Sequence, residues 1–311
     1  MLQKKENHNL AESAVSVKNL SKSYGNIQAI NKLSFDIGKA ELFGFIGPDG
    51  AGKTTIFRIL TTLLTADSGT ATLCGYDLIN DFRKIRQIIG YMPGKFSLYQ
   101  DLSVEENLKF FATIFGTTIQ QNYDLIKDIY IQIEPFKNRP AGKLSGGMKQ
   151  KLALCCAMIH KPEVLILDEP TTGVDAVSRK EFWEMLRKLK ESGICIIVST
   201  PYMDEASLCD RVALIQDGRI MSTDTPENII NQFDTALYEV KTNTMFQLMS
   251  DLKVWENTES AYLFGQYMHL TIKNKDSNEL KSYLQSKMHK DIEIKQITPN
   301  IEDAFMRLMG K

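Results

Sequence analysis

The chain has 311 residues, of which 43% are hydrophobic and 24% charged, the balance of a soluble globular protein with room for one large domain and one small one. A formal net charge of −1 gives no electrostatic basis for gripping nucleic acid. The longest apolar runs, such as 164–167, are far too short to span a bilayer, residues 1–8 hold no apolar signal core and the five cysteines no CxxC spacing, so a cytoplasmic chain with reduced core thiols is expected.

Residues 1–14 are polar and aperiodic, and a flexible tail is expected there. Residues 16–20 alternate as a strand does. Ser23-Tyr24-Gly25 follows, and Tyr24 is either an ordinary aromatic at a turn or a ring on which an adenine stacks. A second strand is expected over 33–37, and the short apolar stretch over 41–46 reads as a buried third.

That stretch runs into Gly47-Pro48-Asp49-Gly50-Ala51-Gly52-Lys53-Thr54-Thr55, which fits GxxxxGK[ST] at every fixed position. Behind it Ile56, Phe57, Ile59, Leu60, Leu63 and Leu64 recur at helical spacing. A loop of this composition between strand and helix is a phosphate cradle. Its glycines let backbone N–H groups turn toward phosphate oxygens, and the helix N-terminus adds partial positive charge. Lys53 suits the β- and γ-phosphates, and the Thr54 hydroxyl suits Mg²⁺.

Asp67-Ser68-Gly69-Thr70 reads as a turn, and 71–73 and 88–91 as short strands. From about 97 the pattern turns helical. Ser103-Val104-Glu105-Glu106 has the form of a capping box, and Leu108, Phe111, Ala112 and Phe115 then share a face. A helical subdomain over about 97–150 is expected. It closes on Leu144-Ser145-Gly146-Gly147, a helix start that bares N–H groups and a hydroxyl to an anion, or is simply a capped helix.

Val164-Leu165-Ile166-Leu167 is a strand buried on both faces, and Asp168-Glu169-Pro170 ends it. Carboxylates at the C-terminal end of such a strand sit where ligands gather in open α/β sheets. Asp168 suits the shell of a Mg²⁺ ion, and Glu169 suits orienting and deprotonating an attacking water. Ser178-Arg179-Lys180-Glu181 is expected to cap the next helix, which stops at Gly193. A buried strand over 194–199 and an edge hairpin around Asp217-Gly218 complete the larger domain. After 232 the order strand, helix, strand, strand, helix, strand suggests a small ferredoxin-like sandwich, in which His269 and His289 are lone histidines with structural or solvated roles.

The order of phosphate loop, helical insert, Leu-Ser-Gly-Gly helix and acidic strand, over residues 16–230, resembles the ATP-binding subunit of ABC transporters. The segment ending Pro299-Asn300-Ile301-Glu302-Asp303-Ala304-Phe305 is similar to the C-terminal extension of multidrug-exporter ATPases. The fold implied is α/β: a P-loop NTPase core over 15–230 with an inserted helical subdomain and an antiparallel β edge, then a small α+β domain over 233–311. The resemblance implies ATP and Mg²⁺ as cofactors, with Tyr24 stacking on adenine and residues 47–55 holding the triphosphate. It makes Glu169 and Lys53 catalytic, Thr54 and Asp168 metal ligands, and Ser145, Gly146 and Gly147 the signature that meets the γ-phosphate across a dimer. Asp175 links the two sites. The partners implied are a second cassette, in a homodimer or heterodimer, and a membrane-spanning permease on whose cytoplasmic face the chain sits.

Two positions depart from the family pattern. Gly94 stands where a Gln usually touches Mg²⁺ and the attacking water, and Pro201 where a His usually contacts the γ-phosphate. Pro201 offers neither a side-chain donor nor an N–H. Lys95 is the nearest candidate for a substitute charge. These departures open a second reading, a degenerate half that binds ATP and completes the site of another cassette.

Overall fold

The computed structural model describes residues 13–274 and 277–309; the tail expected over 1–14 therefore lies mostly outside the described residues. The chain forms two compact units that divide between Thr225 and Pro226.

In the first unit β1 (Ser13–Tyr24) and β2 (Ile27–Gly38) form an antiparallel hairpin, each strand longer than its alternating stretch suggests. The apolar run becomes β3 (Leu42–Ile46), buried at every position, and the phosphate loop leads from it into α1 (Lys53–Leu60). That helix ends sooner than the spacing predicts. Thr62 turns to φ 59°, and Leu63 emerges 61% exposed. The stretch 67–70 is a correction too: Ser68 to Thr70 open β4 (Ser68–Leu73), which pairs with β1. Gly69 bends it at φ 90°, beside the register shift between Lys18 and Ser21, so a glycine that reads as a turn is here a bulge.

After the short β5 (Tyr76–Asp77) comes α2 (Phe82–Ile88), which no periodicity marks, and then β6 (Ile89–Met92). The helical insert contains α3 (Val104–Ile114) and α4 (Tyr123–Tyr130) and leads into α5 (Gly146–Met158). Both halves of the predicted Ser103–Glu106 capping box form at the start of α3. Then follow β7 (Val164–Asp168), α6 (Ala176–Glu191), β8 (Cys195–Thr200), and the edge hairpin β9 (Arg211–Gln216) and β10 (Arg219–Asp224).

These strands make two sheets, β2-β1-β4-β5 and β10-β9-β3-β8-β7-β6. In the second, all neighbouring strands are parallel except the β9–β10 hairpin. One apolar core lies between the sheets and includes α1. Its aromatic centre is Phe45, with ring centroids 5.1 Å from Phe35, 5.3 Å from Phe43 and 5.8 Å from Phe57. The helix behind the phosphate loop is thereby fixed on a packed aromatic cluster.

The second unit holds α7 (Pro226–Asn231), β11 (Leu237–Lys241), α8 (Met245–Val254), β12 (Thr258–Phe264), β13 (Tyr267–Ile272), α9 (Ser277–Ser286), β14 (Glu293–Ile297) and α10 (Ile301–Met309). The antiparallel sheet order β12-β13-β11-β14 is that of the ferredoxin-like sandwich the sequence suggests. Both its histidines are buried and structural. His289 bonds Asp251 at 3.0 Å. Asp303, fully buried, accepts from His269 Nδ1 at 2.6 Å and the Tyr262 hydroxyl at 2.7 Å, and its other oxygen accepts the Asn300 N–H at 2.7 Å. Burial and the Asp303 bond push the Tyr262 phenol up, so it stays a donor. Removing the carboxylate strands the buried His269 and the part-buried Tyr262 hydroxyl and loosens the start of α10. Asp303→Ala should cost the unit about 3–5 kcal/mol of stability, read as the midpoint of urea unfolding. A change under about 1 kcal/mol, the size of one ordinary hydrogen bond, would contradict it.

Candidate functional site

The phosphate loop has the shape its composition predicts. Gly52 lies at φ 106°, and a Cβ there would run into the Ala29 carbonyl oxygen of β2; a Cβ on Gly47 would run into that of Ile215 on β9. The loop is thus held by close backbone approach, and at these positions only glycine fits. Gly52 supplies no side-chain cap to α1, and the first turn of α1 carries no acidic residue. The N–H groups of that turn and its partial positive charge therefore face whatever the loop encloses, the arrangement that favours an anion. Lys53, 4% exposed, donates to the carbonyls of Gly47 at 2.7 Å and Pro48 at 3.0 Å.

The acidic pair meets this lysine. Glu169 Oε1 is 3.5 Å from Lys53 Nζ. Asp168 is buried at the end of β7, and its Oδ1 accepts from the Ser199 hydroxyl at 2.6 Å. Glu169 lies at φ 49°, a left-handed conformation that costs a side-chain-bearing residue energy and persists where neighbours enforce it. The enforcing contacts are on β8: the Glu169 N–H donates to the Ser199 carbonyl at 3.1 Å and to its hydroxyl at 3.0 Å. Tyr91, whose phenol is pushed up to about 12 by burial and further by the Asp168 charge, stays neutral beside the pair.

The two departing positions belong to the same place. A Cβ on Gly94 would lie 3.2 Å from the Asp168 carbonyl oxygen and 3.9 Å from its carboxyl carbon. Pro201 follows Thr200, whose carbonyl accepts the Gly47 N–H at 3.4 Å. Beyond it stands a buried group that no motif marks. The Thr171 hydroxyl donates to Glu205 at 2.7 Å, Arg179 lies 3.6 Å from the same carboxylate, and its guanidinium stacks 4.3 Å over the Tyr202 ring. These residues brace the loop after β7 against the segment after Pro201.

The Leu-Ser-Gly-Gly segment sits elsewhere. Ser145 caps α5, its hydroxyl accepting the Met148 N–H at 3.4 Å, and Ser145 and Gly146 are exposed. Gly147 packs on Ser178, where a Cβ would lie 2.7 Å from the hydroxyl oxygen. The predicted cap of α6 is corrected: the cap is Asp175, which accepts from Val177 N at 3.1 Å and Ser178 N at 3.0 Å. The amide and hydroxyl of Ser178 hold the Asp175 carboxyl below the usual range. An Asx cap satisfies two helix N–H groups at once, which outweighs a box begun at Ser178. Tyr24 ends β1 with 45% of its surface exposed. The returning strand β2 carries Ala29 and Asn31 onto the loop glycines Gly52 and Gly218.

One further feature adjoins the site. A groove of about 450 Å³ is lined by Tyr91, Met92 and Pro93, which lead to Gly94, and by Phe111, Phe115 and Ala153 of the helical insert and α5. His160 stacks on Phe115 at 3.7 Å and bonds the Ile89 carbonyl at 2.9 Å, a structural role.

The residues fit a magnesium nucleotide. Thr54 and Asp168 are hard oxygen donors, the type Mg²⁺ selects, and the loop and bare helix start suit the phosphates. Among the described residues no group of three or more His, Cys, Asp and Glu could hold a metal, and no helix is long and apolar enough to cross a membrane.

Residues 30–172 match the family model described as ABC transporter. The chain is 38% identical over 220 residues to YbhF of Escherichia coli (strain K12), described as a probable multidrug ABC transporter ATP-binding protein; this covers 70% of the chain and 38% of YbhF, so the match takes in well under half of that protein. It is 33% identical over 302 residues to the Nod factor export ATP-binding protein I of a Burkholderia lata strain, covering 96% of the chain and 97% of the relative. A solved structure of an ATP-binding subunit of an ABC transporter superposes with a TM-score of 0.65 at 27% identity, covering 71% of this chain and 93% of that one.

Proposed function

Because the chain belongs to the ABC transporter family of ATP-binding subunits, we propose that it binds Mg-ATP through the residues of its phosphate loop and hydrolyses it between two cassettes to drive export through a separate membrane subunit. The observation that carries this reading is the convergence of Lys53 with Glu169, at 3.5 Å, beside the buried Asp168. A cation for phosphate, a carboxylate for water and a carboxylate for metal stand together at the C-terminal ends of two parallel strands.

In this reading the amides of residues 47–55 and Lys53 hold the triphosphate, and Tyr24 stacks against adenine. Phosphate oxygens take over the Lys53 ammonium from the Gly47 and Pro48 carbonyls. Glu169 orients a water and takes its proton. Thr54 and Asp168 would hold Mg²⁺, which would supply positive charge against the developing negative charge of the phosphates. Ser145 and Gly146 are exposed and the next residue, Gly147, packs on Ser178, so in this reading the three serve the γ-phosphate of a second cassette, with Asp175 between the sites. The Nod factor relative, matched over nearly its whole length, is named for export, and export extends to this chain, which would work on the cytoplasmic face of a membrane.

Gly94 and Pro201 favour a second reading, in which this cassette turns over little and serves a different partner cassette. Steady-state ATP hydrolysis by the purified chain, with molecular mass measured with and without Mg-ATP, decides. Slow turnover with an ATP-dependent dimer, both abolished by Ser145→Arg, is the expected result. ATP binding with neither dimer nor turnover would favour the second reading, and failure to bind ATP would overturn both.

A further inference from the structure

We propose that Ser199 is the positioning residue of the site: its single hydroxyl holds both acidic residues, fixing one oxygen of Asp168 so that the other serves Mg²⁺, and locking the Glu169 amide in its left-handed turn. The proposal rests on the nucleotide-binding reading above and adds to it a residue that neither the motifs nor the spacing mark.

Ser199 closes the apolar run of β8, after Cys195, Ile196, Ile197 and Val198, and is fully buried. A hydroxyl there is costly unless its donor and acceptor sites are used. The parallel β7–β8 register sets Ser199 beside Asp168. The donor goes to Asp168 Oδ1 at 2.6 Å, the short distance of a charge-assisted bond. A lone pair takes the Glu169 N–H at 3.0 Å. Among the described residues Ser199 is the one side chain hydrogen-bonded to Asp168. Gly94, beside the same carboxylate, has no side chain, and Pro201 has no donor. The work of orienting the acidic pair therefore falls to this hydroxyl. A threonine would keep it; an alanine would leave Asp168 free to rotate and Glu169 held by one bond in place of two.

The test is ATP affinity of the full chain measured with Mg²⁺ and again with EDTA, for wild type, Ser199→Ala and Ser199→Thr. Outer-shell partners of metal ligands are worth about 10–100-fold in metal affinity. The wild type should bind ATP more tightly with Mg²⁺. Ser199→Ala should lose about tenfold of that gain while its affinity in EDTA stays within about twofold, and Ser199→Thr should restore the gain. A purely structural role would weaken both affinities together, and that result, or a gain left intact in Ser199→Ala, overturns the proposal. If Ser199→Ala does not fold, Ser199→Cys keeps the size and weakens the donor, and an unchanged gain there overturns it equally. A wild type that gains nothing from Mg²⁺ overturns the site reading and this proposal with it, an outcome distinct from a wild-type gain that Ser199→Ala preserves.

Discussion

Glu169→Gln should lower steady-state ATP turnover by about 10²–10⁴-fold, the range for removing a positioned general base, and leave ATP affinity within a few-fold of wild type. The size of the split between turnover and binding follows from where the residue stands. Its backbone is fixed by two bonds to Ser199 and by the Thr172 amide on its carbonyl at 3.2 Å, so an isosteric amide occupies the same turn. Its side chain is part-exposed and 3.5 Å from the Lys53 ammonium. The amide gives up the capacity to take a proton and the charge that faces Lys53. Losing that charge should cost little in ATP binding, since in the proposed reading phosphate oxygens replace it as the partner of Lys53. Turnover within about threefold of wild type, in a variant that still binds Mg-ATP, would remove Glu169 from the chemistry, where the expected loss is at least about 10²-fold. Lys53→Ala supplies the contrast: there the affinity itself should fall, because in the proposed reading the deleted group contacts the phosphates before and during the reaction.

What the sequence makes legible depends on how local the physics is. The phosphate loop is legible because glycine at 47 and 52 answers a backbone need that no other residue meets. The acidic strand is legible because four apolar residues followed by two carboxylates is a rare order. The Ser103–Glu106 box is legible because its two bonds close within one turn. Where two local solutions compete, the text is less clear. Asp175 and Ser178 both suit a helix start, and the choice falls to the residue that satisfies two N–H groups. Gly69 suits a turn until β1 is seen to pair across it. Contacts between distant strands leave almost no trace. Ser199 and Asp168 are 31 residues apart, Thr171 and Glu205 are 34, and a serine ending an apolar run reads as nothing more than the end of a strand.

Pro201→His should raise turnover by about 10²–10³-fold, the value of one preorganised donor aimed at developing charge. The position is suited to it. Strand β8 pairs with β3 up to Thr200, opposite Ile46, and the Thr200 carbonyl takes the first amide of the phosphate loop. A side chain on the next residue starts beside the phosphate loop. Relaxing a proline adds freedom to the unfolded chain, a cost of about 0.4–1 kcal/mol that the fold tolerates. The Gly94 departure is different in kind. A Cβ there lies 3.2 Å from the Asp168 carbonyl oxygen, so Gly94→Gln shifts the strand end that carries Asp168 by a few tenths of an ångström. Gly94→Gln alone should therefore gain little, and the double variant should turn over more slowly than Pro201→His. If Pro201→His folds, binds Mg-ATP and still turns over within about twofold of wild type, the missing donor worth about 10²–10³-fold elsewhere is not what limits this cassette. The limit then lies in the assembly, and the reading as a half that completes another cassette's site becomes the stronger one.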